Sequence, residues 1–269
     1  MRSRIFALAL PGLLVASCFA NMAVAQEGWS GLGDSLTTDR PDFTESTSTL
    51  PRGHFQIEGG TTLTRVEDED STSFGELLVR IGMGESWELR LGAGSYSRVE
   101  TAGDSVSGLD DPSVGMKIRF TEDAEQLAPG QPAASLILLT SIPEGDGDLT
   151  ADEWVPEAKL ALGWSLTPRL SLSSNLNYAY AADGVDGAER FHQLGATLSG
   201  GLSLTDRIGT FLEWYGFSEE AEDGPSTHYL NGGVTYLINS DLQIDARVGT
   251  GLNDADPDWF VGIGAGVRF

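Results

Sequence analysis

The residues with most chemistry to offer are charged and recur at alternate positions: Glu58, Glu76, Arg80, Glu88, Arg90, Arg98, Lys117, Arg119, Glu157, Lys159, Glu213, Asp245, Arg247 and Arg268. Their neighbours in phase are mostly glycine or small polar residues, and those out of phase are leucine, valine and tryptophan. Acids and bases interleaved in this way can pair into a ladder, or line a narrow polar path with a field across it. Either use requires one face that is wet or self-satisfied. Facing lipid, each charge would cost a few kcal/mol near the midplane.

Other constellations carry less. Gly33-Asp34-Ser35-Leu36 spells a nucleophile block of esterases, but no strand precedes it and no helix follows. None of His54, His192 or His228 lies three residues after an aspartate, as a serine–histidine–acid arrangement of that kind would need. Asp146-x-Asp148 and Asp254-x-Asp256-x-Asp258 have the oxygen spacing of calcium loops. Counted from Asp146, the sixth position is Ala151 and not glycine, although Glu157 stands at the twelfth. There is no His/Cys cluster for zinc, and Gly262-x-Gly264-x-Gly266 is followed by no helix to hold a dinucleotide. The expectation is no catalytic residue, no metal, no cofactor and no enzyme.

The elements that must position the charged row are strands. About twelve stretches alternate with a period of two, which gives each strand two different faces. They are expected at 53–66, 73–83, 87–98, 109–120, 132–142, 154–166, 169–181, 190–204, 207–218, 227–238, 241–252 and 258–269. In the last, Trp259, Val261, Ile263, Ala265, Val267 and Phe269 share one face, and Phe260, the glycines and Arg268 share the other. An eleven-residue strand rises about 36 Å, or roughly 27 Å at a tilt of about 40°, the height of an outer-membrane apolar band. Trp87, Trp164, Trp214 and Trp259 fall near strand ends, as an interfacial belt requires. Short turns at Gly84-Glu85-Ser86, Thr167-Pro168-Arg169, Thr205-Asp206-Arg207 and Asn239-Ser240-Asp241 alternate with acidic loops at 67–70, around 145–148, 183–186, 219–224 and 254–258. This pattern predicts an all-β, antiparallel transmembrane β-barrel, with inner glycines that relieve strain or make space.

The first 25 residues read as a signal peptide: Arg2 and Arg4, an apolar run, then Ala23-Val24-Ala25. A lipoprotein signal at Val15-Ala16-Ser17-Cys18 is the rival. Losing two arginines and no acid takes the formal net charge from −24 to −26, which repels nucleic acid. Residues 26–52 are polar and proline-marked. They are expected to be a periplasmic leader or a lumen plug ahead of a barrel at 53–269.

Thr38-Asp39-Arg40-Pro41-Asp42-Phe43-Thr44-Glu45-Ser46 and Leu50-Pro51-Arg52-Gly53-His54-Phe55-Gln56-Ile57-Glu58-Gly59-Gly60 resemble the start of a family of outer-membrane transporters linked to the meta-pathway of phenol degradation. Gly108-Leu109-Asp110-Asp111-Pro112, opening the fourth strand, and Ser141-Ile142-Pro143, closing the fifth, fit it too. The resemblance implies the bacterial outer membrane and passage of aromatic or other apolar solutes. It adds the N-terminal motif Asp39, Arg40, Pro41 and Asp42 as a site to watch. The function expected is a porin-like transporter that passes small molecules by passive diffusion. The alternative is a closed structural or surface-interaction barrel with acidic, cation-binding loops. Expected partners are a small-molecule solute, outer-membrane lipid and lipopolysaccharide, and the barrel-assembly machinery, which would read Phe269 as an assembly signal.

Overall fold

Period-two sequences bury one face and expose the other, and here the exposed face is the apolar one. Leu194, Leu212 and Ile263 are about 60% exposed, whereas Glu58, Arg80, Glu88 and Lys117 are fully buried. That inversion is the signature of a strand with lipid on one side and a polar interior on the other.

The computed structural model describes residues 35–128, 130–182, 190–221, 223–253 and 257–269, and Leu36–Phe269 form one unit. The strands are β1 (Phe55–Val66), β2 (Glu69–Gly82), β3 (Trp87–Ala93), β4 (Tyr96–Thr101), β5 (Asp104–Leu109), β6 (Ser113–Arg119) and β7 (Ala133–Ser141). They continue as β8 (Val155–Thr167), β9 (Leu170–Ala182), β10 (Arg190–Ser203), β11 (Ile208–Phe217), β12 (Thr227–Asn239), β13 (Leu242–Gly251) and β14 (Trp259–Arg268). All pairings are antiparallel, and β1 pairs with β14 to close the sheet. β3 and β4 form one interrupted stave, as do β5 and β6, so the barrel has twelve staves. The predicted signal peptide, the acidic stretches 183–186 and 254–256, and Gly33 and Asp34 lie outside the described residues.

Two interruptions change the parity read from sequence. Opposite Glu58–Gly60, β2 carries one extra residue, with Gly75 at φ +103° and Glu76 at φ +41°. A bulge of this kind re-aims side chains. Glu76 still turns inward, onto Arg40, but Phe74 is thrown to the outer face and is 65% exposed. The second break, Gly94-Ser95, corrects the assignment of Arg98 to the inner row. Arg98 pairs in register with Thr72, and Thr72 with the outward Leu63. It is therefore exposed on the outside and ion-paired with Glu100. Gly108-Leu109-Asp110-Asp111-Pro112 does not open the fourth stave but interrupts it. There the Asp111 carboxylate accepts from the backbone N–H of Glu144, Gly145 and Ala151, pinning the following loop. The expected acidic loop at 67–70 is a two-residue turn, because β2 already begins at Glu69.

The seam is closed at the last residue. Phe269 and Phe55 exchange two backbone hydrogen bonds (2.8 and 3.1 Å) and stack at 4.6 Å between ring centroids. Deleting Phe269 should lower the heat-modifiable, membrane-inserted fraction of the protein. Undiminished insertion of the truncated chain would contradict this.

Candidate functional site

A segment without regular secondary structure has to find partners for every backbone polar group it buries. Residues 36–50 find them around the whole barrel. The Leu36 N–H donates to Ser240 O at the β12–β13 turn, and the Gly53 N–H to Gly82 O at the end of β2, so the segment starts and finishes at the short-turn end. Between those points it reaches mid-barrel. The Asp39 N–H donates to Glu58 (2.9 Å), those of Phe43 and Thr44 to Glu213 (2.8 and 2.6 Å), that of Glu45 to Asn175 (2.7 Å) and that of Leu50 to Glu88 (2.9 Å). In return Arg80 donates to the carbonyls of Thr37 and Ser48, Lys117 to that of Ser46, and Arg247 to that of Pro41. A chain that touches β1, β2, β3, β6, β9, β11 and β13 of one closed barrel runs through its interior. Buried Glu58, Glu88 and Glu213 thereby gain backbone donors, the charge-assisted bonds that make burying a carboxylate tolerable.

The motif acids anchor this arrangement. Asp39 lies against Arg90 (2.6 Å), Lys117 (2.9 Å) and Arg80 (3.5 Å), and accepts from the Ser46 N–H and hydroxyl. Burial alone would raise its pKa, but Arg80, Lys117 and Arg90 outweigh burial and hold it well below the usual carboxylate range. Glu45 bridges Arg90 (2.6 Å) and Lys159 (2.8 Å), and these cations carry it down to about 2 against its burial. Arg40 pairs with Glu76 (2.5 Å) and lies 3.5 Å from Asp245. Among the described residues Asp42 meets no cation. It accepts from the Ser199 hydroxyl (3.0 Å), and burial, then the neighbouring Glu213 charge, push it up to about 8.

The other charged positions lie nearer the mouths or on the segment's flank. Arg119 pairs with Asp123 (2.9 Å), and Arg268 with Asp241 (2.7 Å), both beside short-turn-end connections. Glu157 stands 3.7 Å from Lys159, and Arg247 donates to the Thr62 hydroxyl. Reading charges alone missed Gln56, Asn175, Thr197, Asn231 and Gln243, all buried on the same inner row. The same parity would have placed them. Gly60 and Gly264 have a further reason beyond strain or space: a methyl group on either would overlap the Arg40 guanidinium, and one on Gly82 would overlap the Pro51 carbonyl. Phe43, at the tip, stacks on Tyr215 (4.7 Å), which stacks on Tyr229 (4.6 Å), with Phe217 edge-on.

Beside the segment is a cavity of about 350 Å³. Glu45, Arg90 and Lys159 line it from inside, while Leu77, Ala93 and Asp110 lie where the β3/β4 and β5/β6 staves are broken. Its volume is in the range of small-molecule sites.

An apolar outer belt on a closed antiparallel barrel, with a charged interior, defines a bacterial outer-membrane β-barrel of the channel and porin fold. The chain belongs to the family described as "Putative MetA-pathway of phenol degradation", whose pattern matches residues 38–269. No curated protein sequence matches it. In structure it is similar to the COG4313 outer membrane channel from Pseudomonas putida F1, with TM-score 0.64 and 14% identity over 87% of this chain and 100% of that one. It is also similar to the NanC porin, with TM-score 0.54 and 12% identity over 79% and 98% of the two chains.

Proposed function

We propose that the protein passes small molecules across the outer membrane by passive diffusion, and that residues 36–50 narrow its lumen to a polar slit with an attached cavity. The observation that carries this reading is the hydrogen bonding of that segment to staves all around the barrel. Twelve staves enclose more room than side chains alone fill, and less than an open porin. What remains beside the segment decides the solute. The cavity mixes leucine with paired charge, and the tip is aromatic, which supports solutes with an apolar or aromatic body. No residue is assigned to bond making or breaking; selection is by width and by the charged wall.

The dense packing around residues 36–50 favours one other reading, a closed structural barrel. Planar-bilayer recording of the purified protein, with liposome swelling across aromatic and hydrophilic solutes, separates the two. Steady current and faster swelling with aromatic solutes are expected. The current should prefer cations, because exposed acids such as Asp68 at the long-loop mouth concentrate them at low salt. Silence in both assays would favour the closed barrel, and an anion-selective reversal potential would refute the mouth argument.

A further inference from the structure

Three neighbouring staves lose their regular pairing at one level of the wall. β2 bulges at Gly75-Glu76, the β3/β4 stave breaks at Gly94-Ser95, and the β5/β6 stave breaks at Asp110 to Pro112. β3 pairs with β6 only as far as Gly92 with Ser113, and β4 pairs with β5 only from Tyr96 with Leu109. β2 divides at the same place, pairing with β4 up to Phe74 and with β3 from Leu77. The other register shifts in the described strands lie beside the β8–β9 and β12–β13 turns. Gly94 is seven residues beyond Trp87, which follows a short turn. That is roughly 18 Å at about 3.3 Å per residue and a tilt of about 40°, inside an apolar band about 25 Å tall. Irregular backbone at such a depth is tolerated where it is buried in protein or lines a cavity.

Here it lines one. The cavity of about 350 Å³ is bounded by Ala93, Ser95 and Asp110 at the fault and by Arg90 and Lys159 of the inner row. Leu77 lines it too, and Leu77 pairs in register with Ala93 on the outer face, where both are exposed. One cavity thus has lumen-facing and lipid-facing residues in its wall. Outside it stand Phe74, Tyr96 and Leu109, each about half exposed or more. Glu45, which also lines it, belongs to the segment that crosses the lumen.

We propose that the fault is a side portal, through which a small uncharged amphiphile passes between the lumen and the acyl chains of the outer leaflet. Its occupant has an apolar body and one hydroxyl or N–H end. Leu77, Leu78 and Leu139 take the body, and Ser95, Ser113 and Asp110 take the polar end. The cations at the cavity do not select an anion, because Glu45 is shared between Arg90 and Lys159. Such a solute leaves the lumen beside the segment, whereas ions and hydrophilic solutes have to pass it. The inference rests on the reading of the protein as a passive channel and adds a second exit to it.

The test uses the full-length protein carrying Ala93→Cys, in cells, with N-phenyl-1-naphthylamine as the probe. This dye has an aromatic body and one N–H, and it fluoresces among acyl chains. Cells making the protein should take up the dye several-fold faster than cells lacking it. A bulky apolar methanethiosulfonate, attached to the new thiol after assembly, should abolish that gain, and a reductant should restore it. Leu212→Cys, on the outer face of β11 and 63% exposed as leucine, should keep the gain when treated in the same way. Planar-bilayer conductance of the purified Ala93→Cys protein should be the same with and without the label. A dye gain that survives labelling at position 93 would overturn the portal. So would joint loss of dye entry and conductance, which would mean one shared path along the lumen. Steady current with no dye gain from any of the proteins would overturn the portal and leave the channel reading standing. Labelling follows assembly, so a folding defect cannot imitate the expected result.

Discussion

Replacing Asp39 by asparagine should release residues 36–50 and raise the single-channel conductance several-fold. The Asp39 carboxylate is shared among Arg90, Lys117 and Arg80. Asparagine keeps its shape and can still accept from the Ser46 N–H, but removes the charge. Arg80 retains Glu58 and Glu88, and Arg90 retains Glu45, but Lys117, fully buried, loses its ion-pair partner. Breaking a buried pair from one side costs about 3–5 kcal/mol, roughly a hundredfold or more in the ratio of docked to released segment. Lys117→Met together with Asp39→Asn should recover much of the docking, because both charges are then gone. Single-channel records of the three proteins check this. An Asp39→Asn barrel that conducts like the unmodified one would mean that the ion network does not hold the segment.

The second large effect concerns pH, and its sign follows from three acids of the segment. Asp39 and Glu45 have docked pKa values below their ordinary ones, Glu45 at about 2. They favour docking above the ordinary carboxylate range and lose that contribution as pH falls through the docked values. Asp42 runs the other way, with a docked pKa of about 8 against an ordinary 3.8. Its contribution is complete below 3.8 and is lost as pH rises toward 8, where the carboxylate ionises beside Glu213 with the Ser199 hydroxyl as its side-chain partner. Docking should therefore be tightest near pH 4, so conductance should climb from there to pH 8 and then level off. Asp42→Asn should flatten that climb and leave the strongly acid release in place. A pH profile identical in the two proteins would remove Asp42 from the account.

Much of this was legible in the chain because a period of two is a rigid rule. Trp259 to Phe269 alternate in burial as the sequence alternates, and Glu58, Arg80, Glu88, Lys117 and Glu213 fall on the buried row. The rule failed where it was locally broken. No sequence signal distinguishes a Gly75-Glu76 bulge or a Gly94-Ser95 break from an uninterrupted strand, so Arg98 was assigned to the wrong face and the outward turn of Phe74 was not foreseen. The path of residues 36–50 was only half legible. Their polarity ruled out a strand, but their positions depend on contacts more than a hundred residues away, such as Thr44 with Thr197 and Glu213. The purpose of Gly60 and Gly264 could not be seen until Arg40 was found against them.

The most direct test is to tether the tip. The Thr44 and Thr197 hydroxyl oxygens are 2.7 Å apart, and the chain's single cysteine, Cys18, lies in the predicted leader. In a protein carrying Thr44→Cys and Thr197→Cys, single-channel conductance is recorded with the pair oxidised and then after adding a reductant. The account predicts low conductance while the bridge holds and a rise, with frequent openings, once it is reduced. A bridge that forms in full and leaves the conductance the same before and after reduction would contradict the claim that this segment sets the width of the path.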